Sequence, residues 1–397
     1  MKPSSEHIPF LDYLRGIAIL AVFLYHATAP EPNIFSFGLP WHGWLRDFHI
    51  PFDHLVLFPF TLGWAGVAIF FVVSGFCIHL SHEKSRDKDF GVFFLRRFFR
   101  IYPPYLAALL FFALIFPVSK LDFSPALIHT HSQRFFSLFS LGGHLAILHN
   151  WSGTIAWDIS GPFWSIAVEV QLYLLYPLLL VLTRRGWSRA LWITAAIELS
   201  LRALASLTHI EASWLVLNPL YFWFSWSVGA ALAEAYLKGQ SLPFTGRSLL
   251  FFPVLMVVFS LIKPLAPFCF TLAALSTVCL MSYWLRHPAP VPAPSTRGNF
   301  WLNHLRFAGL VSYSFYLIHE PLLRETYALL ATYFPGRIPY LELFTICALM
   351  WFVILIPSYA FYRALELPSI ALGKRVIEAR RRRKAGPASI PLAPAGS

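Results

Sequence analysis

Arg15 and His26 stand eleven residues apart in the segment FLDYLRGIAILAVFLYHA. Eleven residues at 100° each return to within about 20° of the start, so a helix puts both on one face, about 16 Å apart along its axis. Asp12, three residues before Arg15, falls close to the same face. The segment carries a charged end, an apolar shaft from Ile17 to Tyr25, and one imidazole at the far end. Imidazole exchanges protons near neutral pH and can serve as the base that activates a hydroxyl. The competing readings are a packed core histidine with a backbone partner and, for Asp12 and Arg15, a plain helix-end ion pair. The position of His26 inside an apolar run favours function, because ionisable groups there are costly to keep.

Three further groups could do chemistry. Glu169, in FWSIAVEVQLYLLYPL, is the only charge between Asp158 and Arg184. Ser165, Glu169 and Tyr173 recur every fourth residue and make one polar stripe. Such a carboxylate needs a partner or a proton, and a structural clasp between helices is an equal reading. In LVSYSFYLIHEPLL, Ser312, Tyr316 and His319 form another stripe, with Tyr313 and Glu320 beside it. It reads as a functional group or as an interfacial cluster that ends the helix before Pro321. In FFLRRFFRIYPPY, Arg96, Arg97 and Arg100 crowd one sector. Guanidinium forks suit phosphate, although a topological anchor is the simpler reading. Glu198 and Glu234 fall near predicted span ends and read as interfacial.

The elements that must position these residues are membrane helices. Residues of the AVILMFWYC set make up 57%, charged residues 13%, and mean hydropathy is +0.61. Soluble domains carry roughly 25% charge, so a soluble enzyme, a disordered chain, a coiled coil and a disulfide scaffold are all excluded. The fold class is all-α integral membrane. About ten spans are predicted, over 8–29, 56–80, 101–119, 162–183, 188–206, 213–236, 247–263, 265–285, 306–331 and 341–363. The third begins at Pro103-Pro104, and Lys263 sits in a tight hairpin between the seventh and eighth.

Lys and Arg gather in the segments that alternate with the N-terminus, which predicts both termini cytoplasmic. The net charge of +12 is thus a topological signal rather than a nucleic-acid one. Residues 1–372 are expected to be the membrane domain, and 373–397 a basic cytoplasmic tail held near anionic lipid and disordered beyond about 385. Cys77, Cys269, Cys279 and Cys347 lie in apolar runs and read as core residues. The first apolar run, with Asp12 and Arg15 inside it, does not resemble a cleavable signal peptide.

Five segments taken together resemble acyltransferase family 3 of polytopic membrane proteins. They are LDYLRG with His26 beyond it, FFVVSGF (70–76), FLRRFFRIYP (94–103), FWSIAVE (163–169) and SYSFYLIHEPL (312–322). Their order and spacing cover about residues 1–365. The resemblance implies ten core spans in a bacterial inner membrane and transfer of an acyl group, often acetyl, from cytoplasmic acyl-CoA. The acceptor it implies is a hydroxyl on a carbohydrate, such as lipopolysaccharide, peptidoglycan or exopolysaccharide, or on a small molecule such as a macrolide. On this sequence His26 matches the essential histidine and Arg15 its paired arginine. Arg97 and Arg100 match the arginines before the third span, Glu169 the glutamate of the FWS segment, and His319 a recurrent position. Some relatives append an esterase-like domain; the expectation here is the stand-alone form.

The chemistry that fits both lines has Arg96, Arg97 and Arg100 on the phosphates of acyl-CoA, with the pantetheine arm running inward. His26 then acts as general base on the acceptor hydroxyl. Glu169 orients a histidine or the acceptor, and Arg15 with Asp12 shapes the donor entrance. Tyr173, Tyr316 and His319 are further site candidates, and no metal is expected. One alternative is a proton-coupled transporter or flippase that uses His26, Glu169 and His319 as a relay. Another is a metal-dependent enzyme built on His129, His131, His144 and His149, whose spacing is not that of a ligand set.

Overall fold

The computed structural model describes residues 8–28, 52–85, 87–115, 119–124, 127–132, 137–210, 212–240, 248–287, 300–334 and 338–385. Helix α1 (Phe10–Ala27) is central. It buries Leu11, Leu14, Ala18, Ile19, Val22 and Phe23, a helical-period apolar stripe. Helix α2 (Phe52–Thr61) passes through a 3₁₀ turn into α3 (Ala65–Lys84). Helix α4 (Phe90–Leu110) ends in a π turn, Phe111–Ile115, and a short helix α5 (Leu138–Leu145) follows. Then come α6 (Phe163–Thr183), α7 (Trp187–Thr208), α8 (Trp223–Leu237), α9 (Ser248–Ser260) and α10 (Cys269–Arg286). The series closes with α11 (Phe300–Leu310), α12 (Ser312–Tyr333), α13 (Tyr340–Phe361) and α14 (Leu367–Ala385). The described chain is helical except for one ribbon, β1 (Ser119–Ser124) against β2 (Leu127–Ser132), antiparallel with Asp122 opposite His129. The fold class is all-α as expected, with that one ribbon inserted between α4 and α5.

Seven helical stretches among the described residues are long and apolar enough to cross a membrane: Phe10–Ala27, Val56–Lys84, Phe90–Ile115, Phe163–Thr183, Trp187–Thr208, Lys263–Arg286 and Leu341–Arg383. The other three predicted spans are helical but differ. The segment 213–236 yields only the 15 residues of α8 after two short turns, and 247–263 yields the 13 of α9. The segment 306–331 breaks at Val311, and α12 carries Glu320, Arg324 and Glu325.

One helix boundary corrects the sequence reading. Helix α4 starts at Phe90, where the Asp89 side chain caps it by accepting from Gly91 N at 2.7 Å. It runs through Pro103-Pro104, so Arg96, Arg97 and Arg100 are within the helix rather than before it. Pro103 has no N–H for the Phe99 carbonyl, and the Ser369 hydroxyl donates to that carbonyl instead. Helix α12 continues past Pro321 to Tyr333, close to the predicted span end at 331, so its polar cluster does not end the helix.

The proposed tail is helical too. Helix α13 passes through a π turn, Tyr362–Glu366, into α14. Gly373 lies against the Phe99 ring, Arg380 pairs with Asp89 at 3.3 Å and Arg381 with Asp87 at 3.4 Å. The expected boundary at 372–373 therefore lies inside a helix docked on α4, and residues 386–397 fall outside the described set.

Glycines let the backbones that carry the site touch. A Cβ at Gly16 of α1 would fall on the Leu305 carbonyl, and one at Gly309 of α11 on the Asp12 carbonyl. Gly75 of α3 meets the Trp226 carbonyl, and Gly229 of α8 meets that of Val72. Such reciprocal small-residue contacts are how helices approach closely in lipid, where burial from water supplies little between spans. Gly75→Val is expected to cost about 1–3 kcal/mol by overpacking and to lower the melting temperature of the detergent-purified protein. An unchanged melting temperature would mean that the crossing yields.

Glu198 and Arg202 are not interfacial. They are 0% and 1% exposed and form an ion pair at 3.1 Å inside the α7–α8–α10 packing. Glu198 also accepts from Ser225 N at 2.9 Å, Ser225 Oγ at 2.7 Å and Thr271 Oγ1 at 2.6 Å. Arg202 donates to the carbonyls of Pro267 at 2.5 Å and Tyr221 at 2.8 Å, and its guanidinium stacks 4.3 Å over the Tyr221 ring.

Candidate active site

Between α1, α3, α4, α6 and α12 lies a cavity of about 100 Å³. Arg15, Arg97 and Arg100 line it together with Cys77, Ser74, Glu169 and Tyr173, then Ser165, Ser312, Tyr313 and Tyr316. Three guanidiniums thus face a space in which Glu169 is the one carboxylate of the lining. Arg97 and Arg100 reach it because three residues along a helix bring side chains back to one side. Arg96 does not: it extends to Ser85 Oγ at 3.4 Å, away from the cavity. The expected trio is a pair, joined by Arg15 from α1. Arg15 lies 3.8 Å from Asp12 and donates to Cys77 Sγ at 3.4 Å, so Cys77 belongs to the cavity. The other three cysteines are buried, as core residues should be.

Glu169 sits in a clasp between α6 and α3. Its Oε1 accepts from Ser74 Oγ at 2.7 Å and from the Tyr173 hydroxyl one turn along α6. Trp226 Nε1 of α8 reaches Ser74 Oγ at 3.4 Å. Glu169 therefore orients no histidine in this structure; its carboxylate is held by two hydroxyls. One turn toward the start of α6, Ser165 Oγ meets the Tyr316 hydroxyl at 2.6 Å. Tyr313 donates to the Ile101 carbonyl of α4 at 2.8 Å, and Ser314 to buried Glu366 at 2.6 Å.

Beyond Tyr316 stand the histidines. The Tyr316 and His319 rings are 5.5 Å apart, and the His319 and His26 rings 5.3 Å apart. His319 is fully buried. Tyr327, two turns on along α12, donates to the Ala27 carbonyl at 2.5 Å and ties the end of α1 to α12 beside the pair. Glu320 holds Arg324 at 2.5 Å and accepts from Gly161 N at 3.2 Å, which fixes the approach to α6. The polar residues therefore run in order from the guanidiniums, through Glu169–Tyr173 and Ser165–Tyr316, to His319 and His26. Arg15 and His26 mark the two ends, as their spacing on α1 requires.

Two other clusters lie outside this cavity. His79 Nε2 donates to Glu234 Oε2 at 3.0 Å, and its Nδ1 accepts from the Tyr176 hydroxyl at 2.9 Å. Glu234 also binds Lys238 at 2.7 Å, so it joins α3 to α8 rather than standing alone at an interface. The buried His144 and His149 stack at 4.0 Å with rings 6° from parallel. Of the four histidines weighed as metal ligands these two meet. No group of three or more His, Cys, Asp or Glu able to hold a metal occurs among the described residues.

Ser74, Cys77 and His79 were missed as functional or bonding groups. Ser74 had a signal, as the single hydroxyl in FFVVSGF, but nothing in that run says which helix it faces.

Comparison with known proteins places the chain in context. The family model described as "Acyltransferase domain" matches residues 8–363. Peptidoglycan O-acetyltransferase OatA of Listeria monocytogenes is 24% identical over 356 residues, 81% of this chain and 50% of that protein. Acyltransferase MdmB of Streptomyces mycarofaciens is 30% identical over 200 residues, 49% of this chain and 45% of that one. The putative peptidoglycan O-acetyltransferase YrhL of Bacillus subtilis is 29% identical over 184 residues, 44% and 24%. The chain spans half or less of the length of each of these relatives. No solved structure matches it.

Proposed function

Because the chain belongs to acyltransferase family 3, we propose that it is a membrane O-acyltransferase that moves an acyl group, acetyl first among them, from cytoplasmic acyl-CoA to a hydroxyl of a glycan. The observations that carry this reading are the cavity lined by Arg15, Arg97 and Arg100 and the His26–His319 pair, which stands outside that lining, past Tyr316. Phosphates of the donor bind at Arg97 and Arg100 through charge-assisted hydrogen bonds, with Arg15 at the cavity wall. The acceptor hydroxyl attacks the thioester carbonyl at the His26 end. A carbon–oxygen bond forms, the carbon–sulfur bond breaks, His26 takes the hydroxyl proton, and the departing thiolate is protonated in turn. Glu169 and Tyr173 hold the middle of the cavity in shape.

Two of the relatives compared are named for peptidoglycan, which makes a peptidoglycan-type sugar the first acceptor to try. On this reading the chain sits in a bacterial inner membrane with both termini cytoplasmic, which the distribution of its Lys and Arg residues supports. Ten crossings then require that α8, α9 and α11–α12 add three to the seven long apolar helices.

The test is release of free CoA from acetyl-CoA by membranes carrying the protein, with and without a surface-glycan extract. Release that needs both the protein and the extract supports the transferase. Proton-dependent substrate flux without acyl-CoA would support a carrier instead. The donor end makes its own prediction. Each charge-assisted bond is worth about 1.5–3 kcal/mol. Arg97→Ala with Arg100→Ala should therefore raise the KM for acyl-CoA by at least about tenfold, before any comparable change in the KM for acceptor. Arg96→Ala, off the cavity, should leave it within about threefold.

A further inference from the structure

His319 carries a tautomer that its own helix dictates. Its Nδ1 lies 2.9 Å from the Tyr316 carbonyl and 3.2 Å from that of Phe315. Carbonyl oxygens only accept, so Nδ1 bears the hydrogen and Nε2 of the neutral ring is a bare lone pair. That Nε2 is buried and has no hydrogen-bond partner among the described residues. An unpaired acceptor in an apolar setting costs stability, which makes it a group to be explained rather than ignored. The ring beside it is His26, with centroids 5.3 Å apart and planes tilted by 59°. Two imidazole nitrogens that share a proton at the usual hydrogen-bond distance of about 3 Å put the ring centres at about that separation. Catalytic hydrogen bonds are often open before substrate binds and close in the reacting complex.

We infer that His319 is the positioning partner of His26: its fixed Nε2 lone pair accepts the His26 N–H, and so reserves the other His26 nitrogen as the base for the acceptor hydroxyl. The inference rests on the acyltransferase reading above. In the reaction the hydroxyl proton passes to the free His26 nitrogen, and the imidazolium that forms holds its other N–H on His319 Nε2. When the carbon–sulfur bond breaks, His26 returns the proton it took to the thiolate. Of the two roles expected for Glu169, orienting a histidine or the acceptor, the first thus passes to a second histidine, and Glu169 keeps its two hydroxyls.

Substitution at 319 tests this. The Gln amide oxygen of His319→Gln reaches the Nε2 position and can accept from His26. His319→Phe keeps the ring and loses the acceptor. His319→Asn keeps a polar group only near the Nδ1 position. Each is measured in detergent-solubilised full-length protein for CoA release, KM for donor and melting temperature.

His319→Phe and His319→Asn are expected to lose about 100-fold or more in kcat with the donor KM unchanged, while His319→Gln keeps activity within about tenfold of wild type. Equal activity in all three, or equal loss in all three at unchanged melting temperature, overturns the assignment. Should His319→Phe fail to fold, His319→Gln against His319→Asn decides, and an active Asn variant beside an inactive Gln variant overturns it. Wild-type protein that releases no CoA with any donor and acceptor overturns the transferase reading and the pair's role with it. Wild-type release together with an unaffected His319→Phe overturns the pair alone.

Discussion

Replacement of His26 by Ala should abolish acyl transfer while leaving the protein folded and able to take up its donor. His26 lies at the last turn of α1, where Tyr327 fixes the backbone through the Ala27 carbonyl rather than through the ring. Among the described residues the ring itself makes ring contacts with His319 and Tyr25. Removing it deletes the base without removing a structural hydrogen bond. Proton transfer by a positioned side chain contributes typically 10²–10⁴-fold, so kcat should fall by at least about 100-fold. The donor KM should hold, because Arg97 and Arg100 line the cavity and His26 does not. The measurement is CoA release at matched expression, beside binding of acyl-CoA to the same preparations. A variant with near-normal kcat would falsify the assignment of the base.

The largest effect on stability is expected at Arg202, far from the chemistry. Arg202→Ala strips Glu198 of its cation while Ser225 and Thr271 still hold the carboxylate in a dry site. It also frees the Pro267 and Tyr221 carbonyls. Removing one partner of a buried pair costs about 3–5 kcal/mol, because the other is left charged and unpaired. Changing both partners to apolar residues of similar volume should cost much less. The double variant Glu198→Leu with Arg202→Met is therefore expected to melt above Arg202→Ala. The reverse order, read by thermal unfolding in one detergent, would show that the hydroxyls alone neutralise Glu198.

Much of the architecture is legible in the sequence because a membrane asks little of it beyond long apolar runs. The run around α1, with Arg15 and His26 on one face, could be placed from spacing alone. What sequence periodicity does not carry is which helix a polar face meets. Ser165, Glu169 and Tyr173 were visible as a stripe, but Ser74 as the partner of Glu169, 95 residues earlier, was not. Arg96 and Arg97 are adjacent, and only the direction of α4 separates the one that reaches Ser85 from the one that lines the cavity. Glu198 and Arg202 sit one turn apart near a predicted span end, so burial and exposure give the same pattern on paper. The start of α4 was misplaced because prolines normally end helices. The Ser369 hydroxyl that answers the freed Phe99 carbonyl comes from 270 residues away.

The unbroken stretch from Leu341 to Arg383 acts as a depth gauge. Its 43 residues would measure about 65 Å at 1.5 Å each, against a hydrocarbon layer of about 30 Å. If Leu341 starts at one face of the membrane, the oily interior ends well before Ser369, which lies about 42 Å along. Ser369 is bonded to Phe99, so the turn of α4 that carries Arg97 and Arg100 is held level with it. Those arginines then stand at the water's edge, where the proposed donor, a nucleotide that cannot enter lipid, would be gripped while its acyl chain is handed inward.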